Sequence, residues 1–193
     1  MGALALVAGA PKRLRSEIDV TVLAREVSTE ADHVTAVELG RWIRDRKANL
    51  RIIDIRDSAS FEDYHIPLAE RVSLERLVGT DIGDNETIVL YSGGGAHAAQ
   101  GWVFLRAQGH ANVFFLRGGV NEWIGEVMNP QLPRNAPASE RAELDSVAAL
   151  SRYFGGVPRT VDSIDVVPER GDGARERRTS WRSSTARLRG RGC

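Results

Sequence analysis

The chain has 193 residues, with 26 Lys+Arg against 26 Asp+Glu and a single cysteine at the last position. That length suits one well-buried domain with excess at its ends. One cysteine excludes an intrachain disulfide, and the four histidines, His33, His65, His97 and His110, lack metal-site spacing, so neither a metal nor another cofactor is indicated.

Charge is unevenly spread. From Val27 to Pro130 there are 10 basic and 15 acidic residues, whereas Glu169 to Cys193 holds 8 arginines and 3 acidic residues. An acidic globule with a basic tail follows. The first ten residues are apolar and precede Lys12, Arg13 and Arg15. A spanning helix needs about 20 apolar residues, so this run cannot cross a bilayer alone. A signal peptide carries its charge before the apolar run, not after it. Residues 1–29 therefore read as an N-terminal arm, a frayed terminus or the remnant of a membrane anchor. A cytoplasmic location is expected, membrane-associated if an anchor lies upstream.

Glu17 to His33 reads as a polar approach. Thr35-Ala-Val-Glu38 is a capping box, and Val37, Leu39, Trp42 and Ile43 form the inner face of the helix it starts. Leu50 to Ile55 is apolar nearly throughout, as a parallel strand covered on both faces should be. Asp54 and Arg56 fall at its carboxyl end, where α/β sheets place ligands, although an ion pair anchoring the loop is the alternative. Ser58 to Tyr64 predicts a short helix, and His65-Ile-Pro67 a turn in which His65 is structural. Arg71 to Ser73 is at most a small strand, Leu74 to Val78 a short helix, and Thr80 to Asn85 a loop.

Thr87 to Tyr91 is the central strand, and Ser92-Gly93-Gly94-Gly95 breaks it into a loop. A helix runs from Ala96 to Gly109, with Ala98, Trp102 and Leu105 on one face. Strand, glycine loop and helix N-terminus make a cradle of backbone N–H groups that favours an anion, formed by Ser92, Gly93, Gly94, Gly95, Ala96 and His97. Asn112 to Leu116 is a further buried strand, Gly118-Gly119 a turn, and Val120 to Val127 a helix carrying Trp123. Strands alternating with helices imply an α/β fold with a parallel sheet between two helical layers.

Prolines 130, 133 and 137 end this unit, placing the main domain at 30–128. Residues 129–156 read as a Pro-rich linker and a docking helix, capped by Ser139 and closed after Phe154 by Gly155-Gly156. Residues 157–193, rich in Arg, Ser and Gly, read as a flexible tail. The tail lacks a recognition fold and interleaved stacking residues, so nucleic-acid binding is not expected.

Ile53-Asp-Ile-Arg56, Glu62-Asp-Tyr-His-Ile-Pro-Leu-Ala69, Ile88-Val-Leu-Tyr91 and Leu116-Arg-Gly-Gly-Val-Asn-Glu-Trp123 occur in register. Over roughly Thr35 to Met128 the chain thereby resembles the rhodanese-like family. That resemblance implies a central parallel sheet of about five strands and an active loop after the central strand that normally reads C-x-x-G-x-R. Gly95 matches this pattern, His97 stands where Arg is usual, and Ser92 stands where the nucleophilic cysteine belongs. Tyr64 and Leu68 occupy places where family members commonly have Gly.

Sulfur transfer by this family needs a thiolate that attacks sulfane sulfur and carries it as a persulfide. An alcohol is far less acidic and forms no persulfide. A hydrolase elbow would need G-x-S-x-G, but Leu90 stands two residues before Ser92. Two readings follow. In the first, the domain is silent in ordinary sulfur transfer and binds a small sulfur-containing anion or a persulfidated partner. In the second, Cys193 supplies the missing thiol, since an arm of about 25 flexible residues reaches about 25–30 Å. On that reading Gly190 to Cys193 spends time near Ser92 and His97, with Val161, Ile164 and Val166 helping the tail to dock.

Overall fold

The computed structural model describes residues 19–162. Five parallel strands form the central sheet: β1 (His33–Val34), β2 (Leu50–Asp54), β3 (Ala69–Arg71), β4 (Thr87–Tyr91) and β5 (Val113–Leu116). Their order across the sheet is β1-β5-β4-β2-β3, which puts β4 in the middle. Its register pairs Tyr91 with Asp54 of β2 and Leu90 with Phe115 of β5. All carboxyl ends therefore open on one edge, and the loop after Tyr91 sits at its centre.

Alternation along the strands sends neighbouring side chains to opposite faces. Ile52, Val89, Tyr91 and Leu116 join one buried cluster, while Ile53, Ile88, Leu90 and Val113 join the other. The first cluster is covered by α2 (Ala36–Arg44), by α6 (Gly119–Trp123), which runs on into a π-helical turn (Ile124–Met128), and by α7 (Ala138–Tyr153). The second is covered mainly by α4 (Leu74–Leu77) and α5 (Ala96–Ala107). This is the α/β arrangement implied by the sequence, with a parallel sheet of five strands and helices on both faces.

Helix α2 starts where the sequence sets it. The Thr35 hydroxyl accepts from the Glu38 amide, and the Glu38 carboxylate accepts from the Thr35 amide. These reciprocal bonds satisfy two donors that a helix start would otherwise leave bare. Its buried face is Ala36, Leu39, Gly40 and Ile43, with Trp42 packed at the margin. Gly40 lets α7 approach closely, because a Cβ there would lie 3.0 Å from the Leu150 side chain.

Several elements differ from expectation. Part of the polar approach is a helix, α1 (Val20–Ser28), capped by the Asp19 carboxylate. Leu23 reaches the second core cluster, and Glu26 pairs with Arg106 of α5. The small strand lies two residues earlier than the sequence suggests, at Ala69–Arg71. Helix α7 begins after Pro137 with no side-chain cap, so Ser139 is not its N-cap. Arg159–Val161, in the stretch read as tail, forms β7 and pairs in parallel with β6 (Gln131–Pro133). Short parallel pairs of this kind are held by contacts distant in sequence, which local patterning does not carry. Among the described residues no helix is long and apolar enough to cross a membrane. The apolar N-terminal run, Ile164, Val166 and Cys193 lie outside the described residues.

Candidate functional site

At the carboxyl edge of the sheet the loop after β4 borders an open cleft of ≈ 330 Å³. Its lining is Ile55, Arg56, Asp57, Leu74, Ser92, Gly93 and His97. Of the residues singled out in the sequence, the fold thus gathers Ser92, Gly93, Arg56 and His97 around one space. Ile55, from the Ile53-Asp-Ile-Arg56 motif, lines it too, and Asp57 and Leu74 are further lining residues that no local motif announced.

Ser92 is only 3% exposed, and its hydroxyl oxygen accepts from the Gly95 amide at 3.1 Å. No side chain among the described residues hydrogen-bonds the Ser92 hydroxyl, and His97 on the first turn of α5 is exposed. A nucleophile–base pair is therefore not assembled. Gly95 holds a left-handed backbone, φ 89°, and acts as N-cap of α5. A Cβ there would meet the Gly118 amide at 3.2 Å and the Leu116 carbonyl at 3.3 Å, so the position requires glycine twice over. The amides of Gly93, Gly94, Ala96 and His97 have no hydrogen-bond partner among the described residues. Four donors at a helix start are the raw material of an anion site.

Asp54 and Arg56 sit beside the loop but face each other. Asp54 is fully buried, and its carboxylate accepts from the Arg56 amide at 2.9 Å, from Nε at 3.0 and 3.1 Å and from Nη2 at 2.6 Å. Arg56 Nη2 also donates to the Tyr64 carbonyl at 2.6 Å. Hydrogen bonding to Asp54 holds the Arg56 guanidinium above its ordinary range, against the opposing effect of burial. The guanidinium lies over the Tyr91 ring, 5.6 Å from its centroid. Tyr91 in turn accepts from the Ile66 amide at 3.1 Å, and burial first of all pushes its phenol upward. Together these contacts tie the connection from α3 (Ser58–Asp63) to β3 onto the central strands. Arg56 presents its charge to the cleft as an already paired group.

Asp57 is the one acid on the cleft wall, and it caps α3. Its carboxylate accepts from the Ser60 amide at 2.8 Å and the Ser60 hydroxyl at 3.0 Å, and the bond from the Ser60 amide leads in lowering its pKa. His65 is not part of the cleft lining. Its ring stacks on Phe61 at 4.1 Å with Nδ1 2.9 Å from the Phe61 carbonyl, which orders the turn before Pro67. Cys193 lies outside the described residues. Among the described residues no cluster of His, Cys, Asp and Glu could hold a metal ion.

The site also recruits α6. The Ser92 carbonyl accepts from the Val120 amide at 2.9 Å, and the Gly93 carbonyl accepts from the Asn121 amide at 3.2 Å. The sequence signal was the pair Gly118-Gly119, read there only as a turn.

No curated protein sequence matches the chain. Solved structures do. The rhodanese-like domain of an Anabaena sp. protein is 26% identical, with 48% of this chain and 72% of that one covered and a TM-score of 0.45. A Staphylococcus saprophyticus protein is 28% identical, with 48% and 92% covered and a TM-score of 0.41. A human single-domain sulfurtransferase is 17% identical, with 48% and 95% covered and a TM-score of 0.43. A model of the rhodanese-like domain matches residues 35–126. That stretch, which carries the whole carboxyl-edge site from Asp54 to Asn121, is a rhodanese-like domain.

Proposed function

We propose that this rhodanese-like domain binds a small sulfur-containing anion, or the persulfide of a partner protein, without performing ordinary sulfur transfer itself. The carrying observation is Ser92. It stands at the base of the loop where the family resemblance implies a nucleophilic cysteine, and it is buried with its oxygen engaged by the Gly95 amide. A thiol ionises near pH 8.5, and an amide cradle lowers that further, whereas an alcohol in the same place stays protonated and cannot carry sulfane sulfur. Nothing in the remaining geometry depends on the sulfur atom. The amides of Gly93, Gly94, Ala96 and His97, unpaired among the described residues, and the start of a twelve-residue helix offer an anion the same donors with serine as with cysteine.

A thiosulfate:cyanide assay on the full chain tests the reading. The wild type should transfer no sulfur above the buffer rate, and S92C should acquire measurable transfer. In parallel, thiosulfate and sulfate should shift the amide resonances of the loop in the wild type. Transfer by the wild-type chain, whether abolished by S92A or by C193S, would overturn the silent assignment; unchanged loop amides at millimolar anion would overturn the binding role.

A further inference from the structure

The anion reading leaves open what makes the loop amides point at a ligand. We infer that Gly119 and the first turn of α6 set that orientation, so that a glycine 24 residues beyond the loop controls its affinity. This rests on the anion-binding role proposed above.

Peptide planarity carries the argument. In a trans peptide the carbonyl of one residue and the amide N–H of the next point in opposite directions. Val120 N–H holds the Ser92 carbonyl and Asn121 N–H holds the Gly93 carbonyl, so both oxygens are drawn towards α6. The Gly93 and Gly94 N–H groups, the other halves of those two peptide planes, must then point away from α6. Gly93 lies on the cleft wall, so its outward N–H is available to the cleft. Such donors are worth most when fixed before the ligand arrives.

The close approach depends on residue 119 having no side chain. Gly119 has φ 60°, and a Cβ there would fall 2.2 Å from the Ser92 carbonyl oxygen, 2.7 Å from that of Gly93 and 2.9 Å from the Gly95 amide nitrogen. All three are backbone atoms of the loop, so no rotamer change relieves the clash. Gly118 provides a contrast, with φ 62° but a Cβ whose nearest neighbours would be Glu122 side-chain atoms, the closest at 1.9 Å. Gly93 and Gly94 provide another, because a Cβ at either would meet nothing within 4 Å. Two glycines inside the loop are thus dispensable for its shape, and one outside it is not.

The test is NMR of the full chain, with sulfate as the probe, on wild type, G119A and G118A. G118A matches G119A in backbone strain. G119A should bind sulfate about tenfold more weakly or worse, the effect of misaligning one charge-assisted hydrogen bond. G118A should stay within about threefold of wild type, well inside that margin. Equal sulfate affinity in G119A and wild type overturns the inference. If wild type binds no sulfate, the anion role fails and amide exchange judges the inference alone. Val120 and Asn121 amides should be protected in wild type and G118A and lose protection in G119A. Should G119A not fold, exchange of those two wild-type amides as fast as exposed loop amides overturns the inference, and slow exchange upholds it.

Discussion

Leu68 adopts φ 68° while its side chain is 77% exposed. A non-glycine residue in the left-handed region costs roughly 1–2 kcal/mol, and an exposed leucine regains little of this by packing. The family resemblance puts glycine at this position, and the backbone angle supplies the physical reason. L68G should therefore stabilise the chain by about 0.5–1 kcal/mol, after glycine's extra unfolded-state entropy is subtracted. A rise of the urea midpoint at unchanged slope would show it, and a fall would mean that Leu68 packs in solution. Tyr64, the other departure of this type, is not strained. Its φ of −160° is ordinary extended backbone, and its hydroxyl accepts from Trp123 Nε1 at 2.8 Å. The same kind of substitution is costly at one site and useful at the other, and the backbone angle and the packing of the side chain distinguish them.

At the scale of the element, α6 and its π-helical continuation set two acids one turn apart. Burial first, and then the charge of Glu122, raise Glu126 from an ordinary 4.5 to about 7. The sign follows directly. Below pH 4.5 the group is protonated whether the chain is folded or not, and it costs nothing. As pH rises from 4.5 through about 7 the unfolded chain ionises first, so folding loses stability, and above 7 the loss is constant. E126Q should thus be more stable than wild type above pH 7 and equal to it below pH 4.5. The gain should stay within about 1 kcal/mol, since the carboxyl is only half-buried and solvent screens the pair. Melting temperatures that differ equally at pH 4 and pH 8 would refute this assignment. Elements such as α2, β2, β4 and α5 were legible because their information is local: a capping box, two apolar runs, and a glycine break before a helix. Helix α1 was not, since its anchors are Leu23 and the Glu26–Arg106 pair, which only the fold brings together. In the site, Ser92 and its glycines stood out in the sequence. The hold of α6 on their carbonyls did not, because backbone hydrogen bonds between residues 28 apart leave no side-chain signature.

The whole molecule extends beyond the family-matched stretch. Residues 35–126 contain β2 to β5 and the site, with β1 just before them, yet one face of the core is completed by α7. Leu150, Ser151 and Ala148 of that helix are buried, and Leu150 fills the space left by Gly40. Phe154 meets the Trp123 ring edge-on with centroids 5.1 Å apart. The chain is then pinned behind the helix, with Val157 N–H donating to the Met128 carbonyl at 2.7 Å and Arg159 N–H to that of Pro130 at 2.9 Å, before β7 pairs with β6. Trp123 is fully buried on the same element that holds the Ser92 loop, so α7 stabilises the site from behind as well as the fold. Ending the chain after Met128 should expose Trp123 and cost at least about 3 kcal/mol, the burial of one leucine and part of a phenylalanine. A red-shifted tryptophan emission and a lower urea midpoint would register the loss. A truncated chain with native emission, midpoint and loop resonances would show that the family-matched stretch stands alone and that α7 is an addition without structural consequence.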